Sequence, residues 1–233
     1  MATIFPEFEA LAATFEGSAV VAVIPEDIDG GIFGDELEAV VGVAPRRRTQ
    51  FIAGRTSARW ALHRLGQPTT MIPRTESGAP QWPPGIVGSI AHCDGCAVAV
   101  AAPASQWLGF GIDVEPAAPL PEDAAAIALT RAERHALEQL PGGYARWSRA
   151  LFCAKECVHK LLNPLTGAWL EFDDMVITLD PQRSTFDPQP LTGPAQQACK
   201  GLRLQGGLAF SGGFLTALLS ATADRGAPNP PAV

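Results

Sequence analysis

Residues 107–115 read WLGFGIDVE. The stretch 107–114 reads as a β-strand. On a strand, Asp113 and Glu115 are two residues apart and point to the same side. Two carboxylates held together repel, and a cation between them offsets that cost. Hard oxygen ligands of this kind suit magnesium, which also keeps waters for substrate phosphates. Spacing alone favours an ordinary strand edge with two solvated acids.

Working back toward the N-terminus, AVAVAA (97–102) reads as another strand, and IVGSIAHC (86–93) leads into it. In GSIAHC, Ser89 and its backbone could hydrogen-bond a phosphate, and His92 could take another phosphate oxygen. A lone histidine is more often structural, so this reading depends on its company. Residues 67–85 are rich in Pro, Gly and Thr and predict a long irregular loop. Before the loop, Pro45 starts a predicted helix that ends at Gly66. Phe51, Ala58, Leu62 and Leu65 form its apolar arc, with Arg48, Arg55 and Arg59 as a basic stripe alongside. Gly54 weakens the middle of this helix. Residues 34–41 predict a short helix, and SAVVAVI (18–24) a buried strand.

Toward the C-terminus, a Pro-rich break at 116–121 precedes a predicted helix at 130–140. Thr130 is its N-cap and Glu133 completes a capping box. A second helix is predicted over 146–162, closed by Asn163-Pro164. It carries FCAKECVHK (152–160), which stacks Phe152, Glu156 and Lys160 on one face. Glu156 could supply a third carboxylate, and Lys160 could hold a phosphate; a plain surface Glu–Lys pair is the competing reading. Lys155 points about 100° away from Glu156 on the same helix. WLEFDDMVITL, a turn-rich stretch, and then GLRLQGGLAF and FLTALLSA follow; the last two predict a closing hairpin, with a helix for FLTALLSA as the alternative. Both halves thus combine helices with antiparallel-type strands. The best division falls near residue 103, giving lobes 1–103 and 104–225, with 226–233 as a frayed tail.

The net charge of −7 argues against a general attraction to nucleic acid or an anionic membrane. A local cluster opposes that average, since Arg46, Arg47, Arg48, Arg55, Arg59 and Arg64 crowd one segment. Lysine occurs only as Lys155, Lys160 and Lys200, two of them within FCAKECVHK. No stretch approaches the ~18 consecutive apolar residues of a membrane span, and the N-terminus makes a poor signal peptide. Five cysteines, an odd number, read as reduced cytoplasmic thiols. His92, Cys93, Cys96, Cys153 and Cys157 include zinc-ligand types, so a small zinc hydrolase or redox protein is a competing reading. GxxxxGK[ST], HExxH and GxSxG are absent, and GFGIDVE is not a GxGxxG fingerprint.

Taken together, AGRTSAR (53–59), GAPQWPPGIVGSIAHC (78–93), GIDVE (111–115) and FCAKECVHK (152–160) resemble the phosphopantetheinyl transferase family in its longer, single-chain, two-lobed form. The cysteine after His92 and FCAKE in place of a Trp-containing version resemble the branch serving siderophore and polyketide synthases. The resemblance implies an α+β fold with pseudo-twofold symmetry, two similar lobes of antiparallel sheets and packed helices, and coenzyme A as substrate in the cleft between them. It implies Mg2+ ligands at Asp113, Glu115 and Glu156, and Lys160 at the transferred phosphate. Ser89 and His92 would bind the 3′-phosphate end of coenzyme A. Arg55, with Arg59 or Arg48, would hold the nucleotide phosphates, and Arg74 is a further contact in the variable loop. Glu156 or a metal-bound water would be the base. The implied partner is an acyl or peptidyl carrier protein of a fatty acid, polyketide or nonribosomal peptide synthase. A monomer is expected, with Arg46, Arg47 and Arg64 left for docking. A non-catalytic interaction domain of the same fold is the other alternative.

Overall fold

A computed structural model describes residues 5–28 and 31–224. The frayed tail expected at 226–233 lies outside the described residues. The chain opens with α1 (Pro6–Ala10) and a 3₁₀ turn at Leu11–Thr14, then enters β1 (Ala19–Val23), buried throughout. The short helix expected at 34–41 is a 3₁₀ helix, Gly34–Val40. Next come α2 (Pro45–Arg64), β2 (Ile86–Cys93) and β3 (Cys96–Pro103). The Asp94-Gly95 turn joins β2 to β3, with Gly95 at φ 83°, the left-handed conformation that a two-residue hairpin requires. Strand order in this three-stranded antiparallel sheet is β1-β3-β2.

The second half begins with β4 (Gly109–Pro116), followed by α3 (Glu122–Ala128), α4 (Arg131–Glu138) and α5 (Gly143–Thr166). Then come β5 (Met175–Asp180), β6 (Thr185–Pro190), α6 (Gly193–Cys199), β7 (Leu202–Ser211) and β8 (Phe214–Ala223). The five-stranded antiparallel sheet runs β4-β8-β7-β6-β5. The closing hairpin is therefore β7–β8, and FLTALLSA is strand rather than helix.

One expectation needs correction. Asn163-Pro164 does not end α5. A proline this near a helix end removes one N–H, and the last turn recovers through Gly167 N–H to the Asn163 carbonyl at 2.9 Å and Thr166 Oγ to the Leu162 carbonyl at 2.7 Å. The helix closes instead on Gly167, in the left-handed conformation. The N-cap expected for α4 is present, with Glu133 N–H donating to Thr130 Oγ at 3.2 Å. α3 lies between the Pro-rich break and α4, where no element was expected.

Three apolar clusters hold the molecule. One packs α2 on the three-stranded sheet, and one packs α5 and its neighbours on the five-stranded sheet. The third is shared: Phe8 and Phe15, Val98 and Val100 of β3, Phe110 and Ile112 of β4, and Leu218 of β8 form a seam between the sheets. Burying side chains of this size contributes roughly 1.5–3 kcal/mol each. The seam is what fixes one lobe against the other. Among the described residues no helix is long and apolar enough to cross a membrane.

Candidate active site in the interlobe cleft

Strand alternation in β4 builds the site. Phe110, Ile112 and Val114 face the shared seam, so Gly109, Gly111, Asp113 and Glu115 face the other way. That other side meets α5. A Cβ on Gly111 would stand 2.0 Å from the Cys157 carbonyl oxygen and 2.8 Å from its carbonyl carbon. Only glycine admits a helix backbone this close. The contact brings Asp113 of β4 beside Glu156 and Lys160 of α5, all placed by backbone that is itself buried.

Lys160 Nζ donates to Asp113 Oδ1 at 2.6 Å. Asp113 is 6% exposed, and its Oδ2 is buried without a hydrogen-bond partner. Arg149 donates to Glu115 Oε2 at 3.0 Å. Burial and the Asp113 charge push both Glu115 and Glu156 above the usual carboxylate range. Burial pulls Lys160 down, but the Asp113 charge and hydrogen bond outweigh it and raise its pKa above the ordinary value. Arg149, Glu156 and Lys160 lie at i, i+7 and i+11 on α5, one face of the helix. Arg149 was not expected at the site, although this spacing carries the signal.

Among the described residues no group of three or more His, Cys, Asp and Glu side chains is gathered as a finished ligand set. Two cations, Lys160 and Arg149, hold carboxylate oxygens that a metal would use. The residues nevertheless fit magnesium. The orphaned Asp113 Oδ2 lacks a partner, the donors are hard oxygens, and a dication would relieve the repulsion that raises Glu115 and Glu156.

A cleft of 740 Å³ runs from this cluster between the lobes. One wall is the segment Ser77–Pro80 with Trp82 and Ser89; the other is Glu156, His159 and Lys160 with Trp169–Phe172. Ser89 is buried and its Oγ accepts the Ile112 N–H at 3.1 Å, so it also ties β2 to β4. Its hydroxyl proton stays available to a ligand. His92 is half-buried, and burial, then Arg47, Lys160 and Arg74, push its pKa down to about 4. Arg47 donates to His92 Nε2 at 3.1 Å; because arginine only donates, that nitrogen is unprotonated.

The arginines divide differently from the expected stripe. Arg55 is buried and stacks on the Phe51 ring at 4.6 Å, with Arg74 over the same ring at 5.4 Å. Burial lowers the Arg55 pKa to about 10, with Arg74 and Arg59 adding to the fall and Glu36 opposing it. Arg59 does not reach toward the cleft. It is 6% exposed and forms an ion pair with Glu36 at 2.9 Å. Arg48 is exposed at the start of α2, and Arg47 is the residue that meets His92. Arg46 pairs with Asp94 and Arg64 with Glu9.

The zinc reading finds no support. Cys93 and Cys96 face each other across the β2–β3 turn, while Cys153 and Cys157 are buried in the C-terminal core. Burial and the Glu115 and Asp113 charges push the Cys93 thiol up to about 12, and burial raises the other four as well. A thiol held protonated is a poor metal ligand.

Paired carboxylates and a half-buried lysine at a long interlobe cleft suit a group-transfer enzyme for a phosphorylated substrate. The family model for the 4′-phosphopantetheinyl transferase N-terminal domain matches residues 35–102, and that for the 4′-phosphopantetheinyl transferase superfamily matches residues 109–201. The chain is 40% identical over 179 residues to 4′-phosphopantetheinyl transferase Svp of Streptomyces mobaraensis, covering 72% of each. It is 36% identical over 203 residues to Npt of Nocardia iowensis, covering 86% of this chain and 90% of that one. PptT of Mycobacterium tuberculosis is 34% identical over 177 residues, with 72% and 78% covered. The solved holo-[acyl-carrier-protein] synthase of Helicobacter pylori, in complex with coenzyme A, overlays at 18% identity and a TM-score of 0.30, too loose to bear on the fold. The chain belongs to the 4′-phosphopantetheinyl transferase superfamily, in its long, single-chain form.

Proposed function

We propose that the chain transfers the phosphopantetheine arm of coenzyme A to a serine of an acyl or peptidyl carrier protein, releasing adenosine 3′,5′-bisphosphate. The observation carrying this reading is the interlobe cleft lined by Glu156 and Lys160, with Lys160 bonded to Asp113 at 2.6 Å and Glu115 two residues along the same strand. In the reaction the serine Oγ bonds to the β-phosphorus of coenzyme A. The bond from that phosphorus to the oxygen shared with the adenosine bisphosphate breaks. Magnesium held by Asp113, Glu115 and Glu156 would neutralise pyrophosphate charge when bound. Lys160 donates to oxygens of the transferred phosphate. Glu156, whose proton affinity is raised by burial and the Asp113 charge, accepts the serine proton from its ionised form. Arg55 and Arg74 hold nucleotide phosphates, and Ser89 and His92, with Arg47 beside His92, take the 3′-phosphate.

The lobe division near residue 103 belongs to the same proposal. The two sheets and the separate ranges of the two family models support it. Residues 5–16 still cross it, since Trp107 Nε1 donates to the Glu16 carbonyl at 3.1 Å. We place the enzyme in the cytoplasm as a monomer; five unpaired cysteines fit a reducing compartment.

Thermal melts with and without magnesium and coenzyme A test the site. The unmodified protein should gain stability with both ligands by mass action. Asp113→Ala should lose most of that gain together with transfer. Lys160→Ala should lose rate but keep the gain, because it serves phosphate rather than metal. A full magnesium-dependent shift in Asp113→Ala would contradict the metal assignment.

A further inference from the structure

Arg55 and Arg59 sit one turn apart on α2, both buried, and like charges at this spacing repel. One carboxylate, Glu36, lies between their fates. It is 1% exposed and accepts four hydrogen bonds: two from Arg59 Nη1 at 2.9 and 3.0 Å, one from Ile72 N–H at 2.8 Å and one from Phe33 N–H at 3.1 Å. Arg59 Nη2 goes to the Gly31 carbonyl at 2.7 Å. Arg59 is therefore committed to acceptors within the protein. Arg55 is left with one long contact, Nη2 to the Pro73 carbonyl at 3.5 Å, and a buried Nε without a partner. Burying a guanidinium donor with no acceptor is costly unless an acceptor arrives.

The Ile72 anchor has a second consequence. Ile72 is the root of a small hairpin in which Gln81 N–H bonds to the Pro73 carbonyl, Thr75 N–H bonds to the Ala79 carbonyl and Arg74 bridges to Pro80. The hairpin tip, Ser77–Pro80, is the cleft wall. The other lobe repeats the device. Glu133, also third in its short helix, accepts Thr130 N–H, Ile177 N–H and Lys155 Nζ, while Lys155 donates to the carbonyl of Phe172 on the opposite wall. Two unrelated-looking segments thus converge on one arrangement: an acid at the third helical position, a base from the long helix, and a backbone N–H from a distant segment, Ile72 in one lobe and Ile177 in the other.

We propose that Glu36 is a positioning residue for coenzyme A binding. It consumes Arg59, leaves the Arg55 guanidinium spare for a phosphate, and fixes the 73–81 hairpin beside it. This rests on the transferase reading above. Glu36→Gln keeps the shape and removes the charge. By charge alone the variant would bind an anionic ligand more tightly, since a nearby carboxylate is gone. If Glu36 positions Arg55 and the hairpin, binding weakens instead. The Kd for coenzyme A, by titration calorimetry, should rise about ten-fold. KM for coenzyme A should rise in parallel, while kcat and KM for the carrier protein stay within about two-fold. Arg59→Lys keeps the ion pair but gives up the Gly31 contact, and should show a smaller rise of the same kind. Equal or tighter coenzyme A binding by folded Glu36→Gln overturns the proposal. If Glu36→Gln does not fold, an unchanged Kd in Arg59→Lys overturns it, and a raised Kd with kcat retained supports it. Failure of the unmodified protein to bind coenzyme A would sink the transferase reading instead.

Discussion

His92 shows how far one residue's surroundings decide its chemistry. Burial and three neighbouring cations hold its pKa at about 4, against an ordinary 6.5. Between those values the unfolded chain binds the proton and the folded chain does not, so this group destabilises the fold as pH falls from about 6.5 to about 4. Glu115 and Glu156 act in the opposite sense, because their folded pKa values are raised. The His92 contribution is isolated by comparison with a variant. His92→Gln should lose less stability than the unmodified protein between pH 7 and pH 5, read from urea melts; parallel losses would show that His92 is not held neutral. At this scale GIDVE and FCAKECVHK placed Asp113, Glu115, Glu156 and Lys160 on facing elements, because periods of 2 and 3.6 are local properties. The fate of Arg59 was not legible. Its partner Glu36 lies 23 residues away, and nothing in helix periodicity distinguishes an arginine facing a ligand from one facing a buried acid.

Among the elements, the β4–α5 pair carries the site, and Gly111 is its closest approach. Gly111→Ala would drive a methyl into the Cys157 backbone. Backbone cannot swing aside as a side chain can, so the loss should exceed the roughly 1–3 kcal/mol of ordinary overpacking. Denaturant melts should show that loss, with transfer falling as Asp113 moves off Lys160. Gly193→Ala makes a useful contrast, since its Cβ would meet nothing within 4 Å and its backbone is not left-handed. Equal stability of Gly111→Ala and the unmodified protein would remove the close contact from the account. Elements with strong punctuation were legible: Pro45 before α2, the Thr130–Glu133 capping box, the β7–β8 hairpin. Those carried by tertiary context were not. β6 reads TFDPQP, with prolines at 188 and 190 that argue against a strand. They are tolerated because β6 pairs with β7 only at Thr185 and Phe186, leaving its proline half unpaired on that side.

For the whole molecule, the two-lobed α+β architecture and the likeness of its lobes followed from the family resemblance, while the hydrogen bonding that the lobes share did not. No repeat is visible in the sequence, because Arg59 and Lys155 differ in type and the segments around them share little. The likeness lies in hydrogen bonding around Glu36 and Glu133. On the proposed reading both lobes are needed at once: Arg55 and Ser89 come from one, Asp113 and Lys160 from the other, and the shared aromatic seam holds the two sheets together. The central claim is that this cleft delivers a phosphopantetheine arm to a carrier serine. Mass spectrometry of an apo-carrier protein, after incubation with the enzyme, coenzyme A and magnesium, tests it most directly. The account predicts a gain of one phosphopantetheine unit on the carrier, lost with Asp113→Ala and with a chelator. An unmodified carrier mass across acyl and peptidyl carrier proteins, from protein that still binds coenzyme A, would contradict it.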